Sequence, residues 1–356
     1  MIKRVIKRLF KNQIDWYRYK TFDDSIIIYK EKSYKEYLHD AIVASQPKLT
    51  ESEKKVLCYD IFKQWRRDGT RPDEYLLYGY EDKSEEERDK YMPQVPKDNI
   101  LLRYYGNAVD GIVGLLKDKY AFYEAMKPFF KREAIRISKD ADKANFEEFC
   151  KKSKLFICKL LKGSCGVGVQ IIRLNEDNRT VEQIFYELLS QGEWIVEELI
   201  NQHDSLAQFN VSSVNTIRFP SFKHGNIIVP ALPCLRLGRK GNIVDNAGQG
   251  GVFVSVDVET GEIITDAFDE LGHRYLCHPD TGVTFKGYVI PQWEDLLDIV
   301  VKAHLALPED QTYVAFDFAL SDKGWVVVEG NWGDWIMQQT SLEKGLRKEF
   351  ISLLHG

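Results

Sequence analysis

No apolar run in this 356-residue sequence approaches the roughly eighteen residues that a membrane-crossing helix needs, so the chain offers no spanning segment. Basic residues are not in excess either. The 49 Lys and Arg stand against 54 Asp and Glu, a formal net charge of −5, which argues against a nucleic-acid partner held by the whole surface. Cysteine is scarce: Cys58, Cys150, Cys158, Cys165, Cys234 and Cys277 include no C-x-x-C pair and no even framework, which suits reduced thiols in a cytosol. Lysine and arginine interrupt every apolar stretch near the N-terminus, so no secretory leader is read there and a cytoplasmic protein is expected. Internal repeats and low-complexity tracts are missing as well. What remains is an ordinary globular composition, 44% apolar and 29% charged, long enough for one large or two to three small domains.

The pattern changes along the chain. Residues 1–20, MIKRVIKRLFKNQIDWYRYK, place Ile2, Val5, Ile6, Leu9 and Phe10 at helical spacing among seven Lys and Arg residues. Such a helix either covers the protein's own helical region or lies on an anionic inner-membrane surface, and peripheral membrane contact is an open expectation. Residues 50–67 predict a better-defined helix, capped by Thr50 and Glu53, with Val56, Leu57, Ile61 and Trp65 on one face. EDKSEEERDKYMP reads as a charged helix or loop that ends at Pro93, and the first 118 residues look mostly helical. From about Lys119 the runs LFICKLL, VGVQIIRL and EWIVEELI follow in close order. Beyond residue 213, turns carrying glycine (HGN, ETGE, SDKG) join TIRFPSF to IIVPALPCLRL, VFVSVDV to IITDAF, and TYVAFDFAL to WVVVEG. PQWEDLLDIVVKAHLAL reads as a helix opening on proline. The expected class is α+β on antiparallel sheet, not a doubly wound parallel fold.

FICKLLKGSCGVGVQII sets a lysine at the end of one strand-like run, then a glycine-rich loop, then a second strand-like run. Its G-x-x-G-x-G spacing fits neither the dinucleotide fingerprint nor the P-loop, both of which lead into a helix. It reads as the tip of a β-hairpin, either a mobile turn or a flap over phosphates. In FDFALSDKGWVVVEGNWGDW, Asp317 lies on one strand while Glu329 and Asn331 share a face of the next, because side chains alternate with period two. The short turn sets Asp317 opposite Glu329 to within a register step. Two carboxylates and an amide oxygen are hard ligands suited to Mg2+, and the competing reading is a solvated hairpin face.

Lysine, glycine flap, acidic hinge strand, then an Asp on one strand and Glu-x-Asn on the next: this order resembles the ATP-grasp superfamily. SSVNTIRF, VDNAGQGG and the final VVEGN look closest to its sugar-transfer-associated, glutamate-ligase-related branch. The resemblance runs from about Lys119 to the C-terminus. It implies an ATP-grasp fold of two α+β subdomains clamping ATP, behind a mostly helical N-terminal region. The expected divisions are a helical region 1–118, a lid subdomain 119–196 with the flap, and a large subdomain 197–356 with the metal and substrate site. By resemblance, Lys119 and Lys159 match the phosphate lysines, and Gly163, Ser164, Gly166 and Gly168 the flap over the β- and γ-phosphates. Glu197, Glu198, Leu199 and Ile200 match the adenine hinge, with Asp204 as a ribose contact. Arg218 in NTIR matches the arginine at the reacting acyl phosphate, and with Lys159 it is assigned a catalytic part. Asn215, Thr216, Arg236, Asn246, Gly250 and Gly251 fall on the substrate side. Asp317, Glu329 and Asn331 match the metal ligands. The implied cofactors are ATP and two Mg2+ ions, with Mn2+ able to substitute. Leu160 stands where the family usually has proline, and Cys165 where the flap has a small residue.

The implied activity is an ATP-dependent carboxylate–amine ligase working through an acyl phosphate. Its partners would be small-molecule carboxylate and amine substrates, sugar-linked ones included, in capsular or surface polysaccharide assembly. A kinase on the same fold, moving the γ-phosphate to a sugar-type hydroxyl, is the alternative, and a non-catalytic nucleotide-binding module is a third reading. Other residues carry two readings each. His273, Cys277 and His278 in HRYLCHPD could hold a soft metal but suit a structural loop better. Arg236, Arg239 and Lys240 are either a substrate grip or a solvated turn. Asp245, Asn246 and Gln249 read as loop residues meeting the substrate. Trp325, Trp332 and Trp335 are core residues or sugar platforms.

Overall fold

The computed structural model describes residues 27–29, 32–161, 168–239, 241–242, 245, 250–333 and 335–356. The amphipathic segment 1–20, flap residues Gly163, Ser164, Cys165 and Gly166, and Lys240, Asn246 and Gln249 lie outside them. The chain divides into two compact units. One comprises Met1–Tyr104, Glu270–His273 and Asp334–Phe350; the other comprises Tyr105–Asp269, Arg274–Gly333 and Ile351–Gly356.

The first unit is mostly helical, with a two-stranded ribbon of β1 (Ile27–Tyr29) and β2 (Lys32–Ser33). Its helix Glu51–Asp68 starts where the sequence places it. Thr50 accepts from the Glu53 N–H, and the Glu53 carboxylate accepts from the Thr50 N–H in return. Leu57, Ile61 and Phe62 from this helix are buried with Tyr34, Leu38, Ile42, Tyr75 and Tyr80. Arg88 lies over the rings of Tyr75 and Tyr80 and bonds Asp60 at 2.7 Å, so the aromatic core carries one enclosed cation with its counter-ion.

The second unit holds two antiparallel sheets. The smaller contains β3 (Ala134–Ile137), β4 (Leu155–Leu160), β5 (Val169–Arg173) and β6 (Trp194–Glu198), in the order β3-β6-β4-β5. The helices Lys143–Lys152 and Val181–Gln191 supply its core through Phe146, Phe149, Ile184 and Phe185. The glycine loop joins β4 to β5, as the hairpin reading requires. Gly168 closes it at φ +74°, where a side chain would collide with Leu160.

The larger sheet contains β7 (Thr216–His224), β8 (Ile227–Pro230), β9 (Cys234–Leu237), β10 (Val252–Ser255), β11 (Ala267–Phe268), β12 (Arg274–Tyr275), β13 (Tyr313–Ser321) and β14 (Gly324–Asn331). Its order is β12-β11-β10-β9-β7-β13-β14, with β8 also on β7. IIVPALPCLRL is two strands rather than one. Pro230 and Pro233 bracket Leu232 at φ +46°, and β8 and β9 pair with successive parts of β7 on either side of that break. The helix Trp293–Ala306 begins two residues after Pro291, with Gln292 at φ +56° before it.

Candidate active site

The larger sheet lines up charge across three strands. Arg218 on β7 lies opposite Asp317 on β13, and Asp317 lies opposite Glu329 on β14. A bulge produces the second pairing. Phe318 faces Val327 while Asp317 faces Glu329, so Val328 is the extra residue that brings the two carboxylates into one row. Asn331, two residues on, shares their face and donates to both Asp317 Oδ2 and Glu329 Oε1 at 3.2 Å. Gly330 between them points the other way, where any Cβ would collide with Phe122 and Leu116. The pattern Glu-Gly-Asn thus packs strand against helix on one side and presents ligands on the other.

Two guanidinium groups converge on Asp317. Arg218 donates through Nε to Oδ1 at 2.5 Å and through Nη2 to Oδ2 at 3.2 Å, while Arg236 on β9 donates to Oδ2 at 2.8 Å. Burial pushes the Asp317 carboxyl up, but these two cations overcome it and hold the group below its usual range. Glu329 goes the opposite way: burial, then the neighbouring Asp317, keep it above its usual range. A carboxylate pair of buried Asp317 and half-buried Glu329, with Glu329 inclined to hold a proton, is the electrostatic setting in which a divalent cation fits, and the donors are all hard oxygens.

Arg236, rather than Arg239, is the arginine that turns inward. It donates to the Thr216 hydroxyl through Nε and Nη2 at 3.0 and 2.6 Å and lies 3.4 Å from Asp245. Arg239 is bound bidentately by Asp280 at 2.8 Å, which answers the basic-turn reading for that residue. Asp245 is buried and accepts from the Thr216 N–H and hydroxyl, so the carboxylate read as a substrate contact is used within the protein. Asn215 likewise accepts from the Gly238 N–H and donates to the Leu206 and Asn210 carbonyls, which places it beneath the site as support. His278 bonds the Gly238 carbonyl and accepts from the Asp280 N–H. Among the described residues no group of three or more His, Cys, Asp or Glu side chains is gathered for a metal. Trp325 and Trp335 are fully buried, and Trp332 packs on Tyr105 at 5.6 Å, on the side of β14 away from Glu329. Gly250 is exposed at φ +85° and Gly251 is buried where β10 begins.

The smaller sheet supplies Lys159, and the helix Lys119–Phe130 supplies Lys119. Ile157 faces Glu197 across β4 and β6, so Lys159, two residues on, shares the Glu197 face and bonds it at 2.8 Å. Lys119, in the first turn of the helix Lys119–Phe130, feels Glu329, Lys159 and Glu197. Burial lowers its pKa most, with Lys159 adding to the effect and the carboxylates opposing it. Lys119, Lys159 and the carboxylate row therefore belong to one electrostatic neighbourhood. Glu198 is fixed by the Ser153 hydroxyl and the Glu133 N–H, Leu199 and Ile200 follow β6 half-buried, and Asp204 is exposed at the start of the short helix Asp204–Ala207. Sequence reasoning missed Arg132, which bonds Glu197 and carries no pattern that marks it.

A family model described as sugar-transfer associated ATP-grasp matches residues 109–352. The chain belongs to this family. The two antiparallel sheets described above are accordingly the ATP-grasp fold, preceded by a helical N-terminal region. Among solved structures, this ATP-grasp chain is similar to the D-alanine–D-alanine ligase from Coxiella burnetii, at 10% identity over 67% of this chain and 57% of that one, TM-score 0.39. It is also similar to that ligase from Bacillus anthracis (18% identity, 67% and 64% covered, TM-score 0.37). A third is D-alanyl-alanine synthetase A from Vibrio cholerae O1 biovar eltor str. N16961 (11%, 68% and 66%, TM-score 0.40). The chain spans less than two thirds of the length of the first two. No curated protein matches it. Among its described residues no helix is long and apolar enough to cross a membrane.

Proposed function

We propose that this ATP-grasp protein is an ATP-dependent carboxylate–amine ligase serving capsular or surface polysaccharide assembly, with a uronic acid or amino acid as the carboxylate. The observation that carries the reading is the row Arg218–Asp317–Glu329, with Asn331 beside it and two lysines nearby. An amide cannot form directly from a carboxylate, because oxide is too poor a leaving group. Transfer of the γ-phosphoryl group to a carboxylate oxygen creates an acyl phosphate; the amine then attacks the acyl carbon, and phosphate departs with that oxygen.

Asp317, Glu329 and Asn331 would hold Mg2+, which when bound neutralises phosphate charge. Lys119 and Lys159 hold the β- and γ-phosphates, beneath the flap of Gly163, Ser164, Gly166 and Gly168. The backbone from Glu197 to Ile200 takes the adenine edge and Asp204 the ribose. Arg218 faces the acyl carbon and steadies the oxyanion of the tetrahedral intermediate. Arg236, Thr216, Gly250 and Gly251 take the substrate side, with Asn215 beneath Thr216 as support, and Asn246 is assigned to the substrate by resemblance alone. In this reading the flap excludes water, which would otherwise hydrolyse the acyl phosphate.

A kinase on the same fold needs a carboxylate able to take a hydroxyl proton. Asp245 is the carboxylate beside NTIR, and it is engaged by Thr216 and Arg236, which favours the ligase. The test is product analysis with a panel of uronic acids, amino acids and amines. Release of ADP and free phosphate only when carboxylate and amine are both present supports the ligase, whereas a phosphorylated sugar establishes the kinase. The proposal extends to contact of residues 1–20 with an anionic membrane surface, where such glycans are assembled.

A further inference from the structure

The lid sheet contains a buried group of three charges. Glu197 on β6 accepts from Lys159 at 2.8 Å through one oxygen and from Arg132 Nε and Nη2 at 2.9 and 2.5 Å through the other. The Glu197 side chain is 3% exposed and that of Arg132 5%, while Lys159 is 19% exposed and sits at the open end. Burial pushes the Glu197 carboxyl up, yet the two cations bring it down to about 2. Arg132 itself is immobilised. Its guanidinium lies over the Phe130 ring at 4.4 Å and donates through Nη1 to the carbonyls of Phe130 and Val327. Val327 precedes the bulge that sets Glu329 opposite Asp317, so one side chain joins the Glu197 strand β6 to the ligand strand β14.

Two cations on one carboxylate is more than pairing requires. A buried carboxylate must keep a bonded cation, because losing its last partner is strongly unfavourable. With Arg132 in place, Glu197 stays paired when Lys159 leaves it. We infer that Arg132 is a positioning residue for nucleotide binding: by holding Glu197, it leaves Lys159 able to turn from that carboxylate to the phosphates of ATP. This rests on the ATP reading above. Without Arg132, Lys159 becomes the cation that Glu197 cannot release, and the lysine is withheld from the nucleotide. Neutralising Glu197 in that background frees it again.

The test is binding of ATP with Mg2+ to the full chain by titration calorimetry, comparing wild type, Arg132→Met and the double variant Arg132→Met/Glu197→Gln, each checked for folding by thermal melting. The inference expects Arg132→Met to weaken ATP binding about tenfold or more, and the double variant to recover most of that loss. An Arg132 with a merely structural part gives a double variant as weak as the single one or weaker, and that result overturns the inference. So does an Arg132→Met protein that binds ATP like wild type. If Arg132→Met does not fold, Arg132→Gln with and without Glu197→Gln is compared in its place, and the same two outcomes decide. Wild-type protein that fails to bind ATP overturns the ATP reading and the inference with it.

Discussion

Asp317 and Glu329 face each other across β13 and β14, yet the structure sets them in opposite electrostatic states, and this makes their neutral replacements separable. Asp317→Asn removes the carboxylate that Arg218 and Arg236 share, in a place where both arginines are only 8% exposed. Breaking a buried ion pair from one side costs about 3–5 kcal/mol. For a unit of this size each kcal/mol is about 2–4 °C, so the melting temperature should fall by about 10 °C. Glu329→Gln replaces a carboxyl that burial and Asp317 already push toward its neutral form, and Asn331 can still bond the amide. Its stability should stay within about 1 kcal/mol of wild type. Turnover should fall about a thousandfold or more in both variants, since each removes a negative charge from the metal-holding set. Thermal melting and ADP release by the same preparations provide the two readouts. Equal loss of stability in the two variants would refute the charge assignment, and wild-type turnover in Glu329→Gln would remove it from the metal set.

Arg218→Ala should leave ATP affinity nearly intact while depressing turnover, because the charge it faces develops only during the reaction; lost affinity with an intact rate at saturation would move it to the nucleotide side. With Glu329 raised by burial and by Asp317, activity at limiting Mg2+ should fall as pH drops through that raised pKa. Higher Mg2+ should shift this acid limb to lower pH, since proton and cation compete for one group, and a limb indifferent to Mg2+ contradicts the placement. In the helical unit, burial pushes Glu74 up to about 7, so the folded state binds its proton more tightly than the unfolded chain. Its contribution to stability is greatest below the ordinary value of 4.5 and is lost as pH rises through about 7; Glu74→Gln should flatten this profile, an effect of about 3 kcal/mol at most, read from urea unfolding across that range. Deleting residues 2–18 should abolish flotation with anionic liposomes at low salt, and equal behaviour of the deleted and full-length proteins would leave the segment as a structural cover.

Much of the site was legible because β-structure has a rigid period. Glu329 and Asn331 had to share a face, and a short turn had to bring Asp317 close to one of them. The last register step was not legible: Val328 as a bulge depends on how two strands pair, and nothing in VVVEGN marks one valine as extra. Hairpin turns and the Thr50–Glu53 cap announced themselves through residues with local jobs. The break between β8 and β9 was visible in Pro230 and Pro233, although its consequence, two strands sharing one side of β7, needed the sheet. Long-range charge pairing was invisible. Arg239 meets Asp280 forty-one positions away and Arg132 meets Glu197 sixty-five away, so neither the arginine that is occupied nor the one that acts beneath the site could be chosen from composition. Asn215 and Asp245 sit in stretches that resemble substrate loops, but backbone amides claim their side chains, an outcome only the packed structure defines.

The central claim is that the γ-phosphoryl group passes to a carboxylate oxygen before the amine attacks. It is tested most directly by supplying the carboxylate substrate labelled with heavy oxygen and analysing the phosphate released with ADP. The account predicts that the phosphate carries a label from the carboxylate, and that a labelled acyl phosphate can be trapped with hydroxylamine when the amine is withheld. Unlabelled phosphate would mean that water, not the carboxylate, receives the phosphoryl group, and a phosphate retained on a sugar hydroxyl would make the protein a kinase; either result contradicts the account.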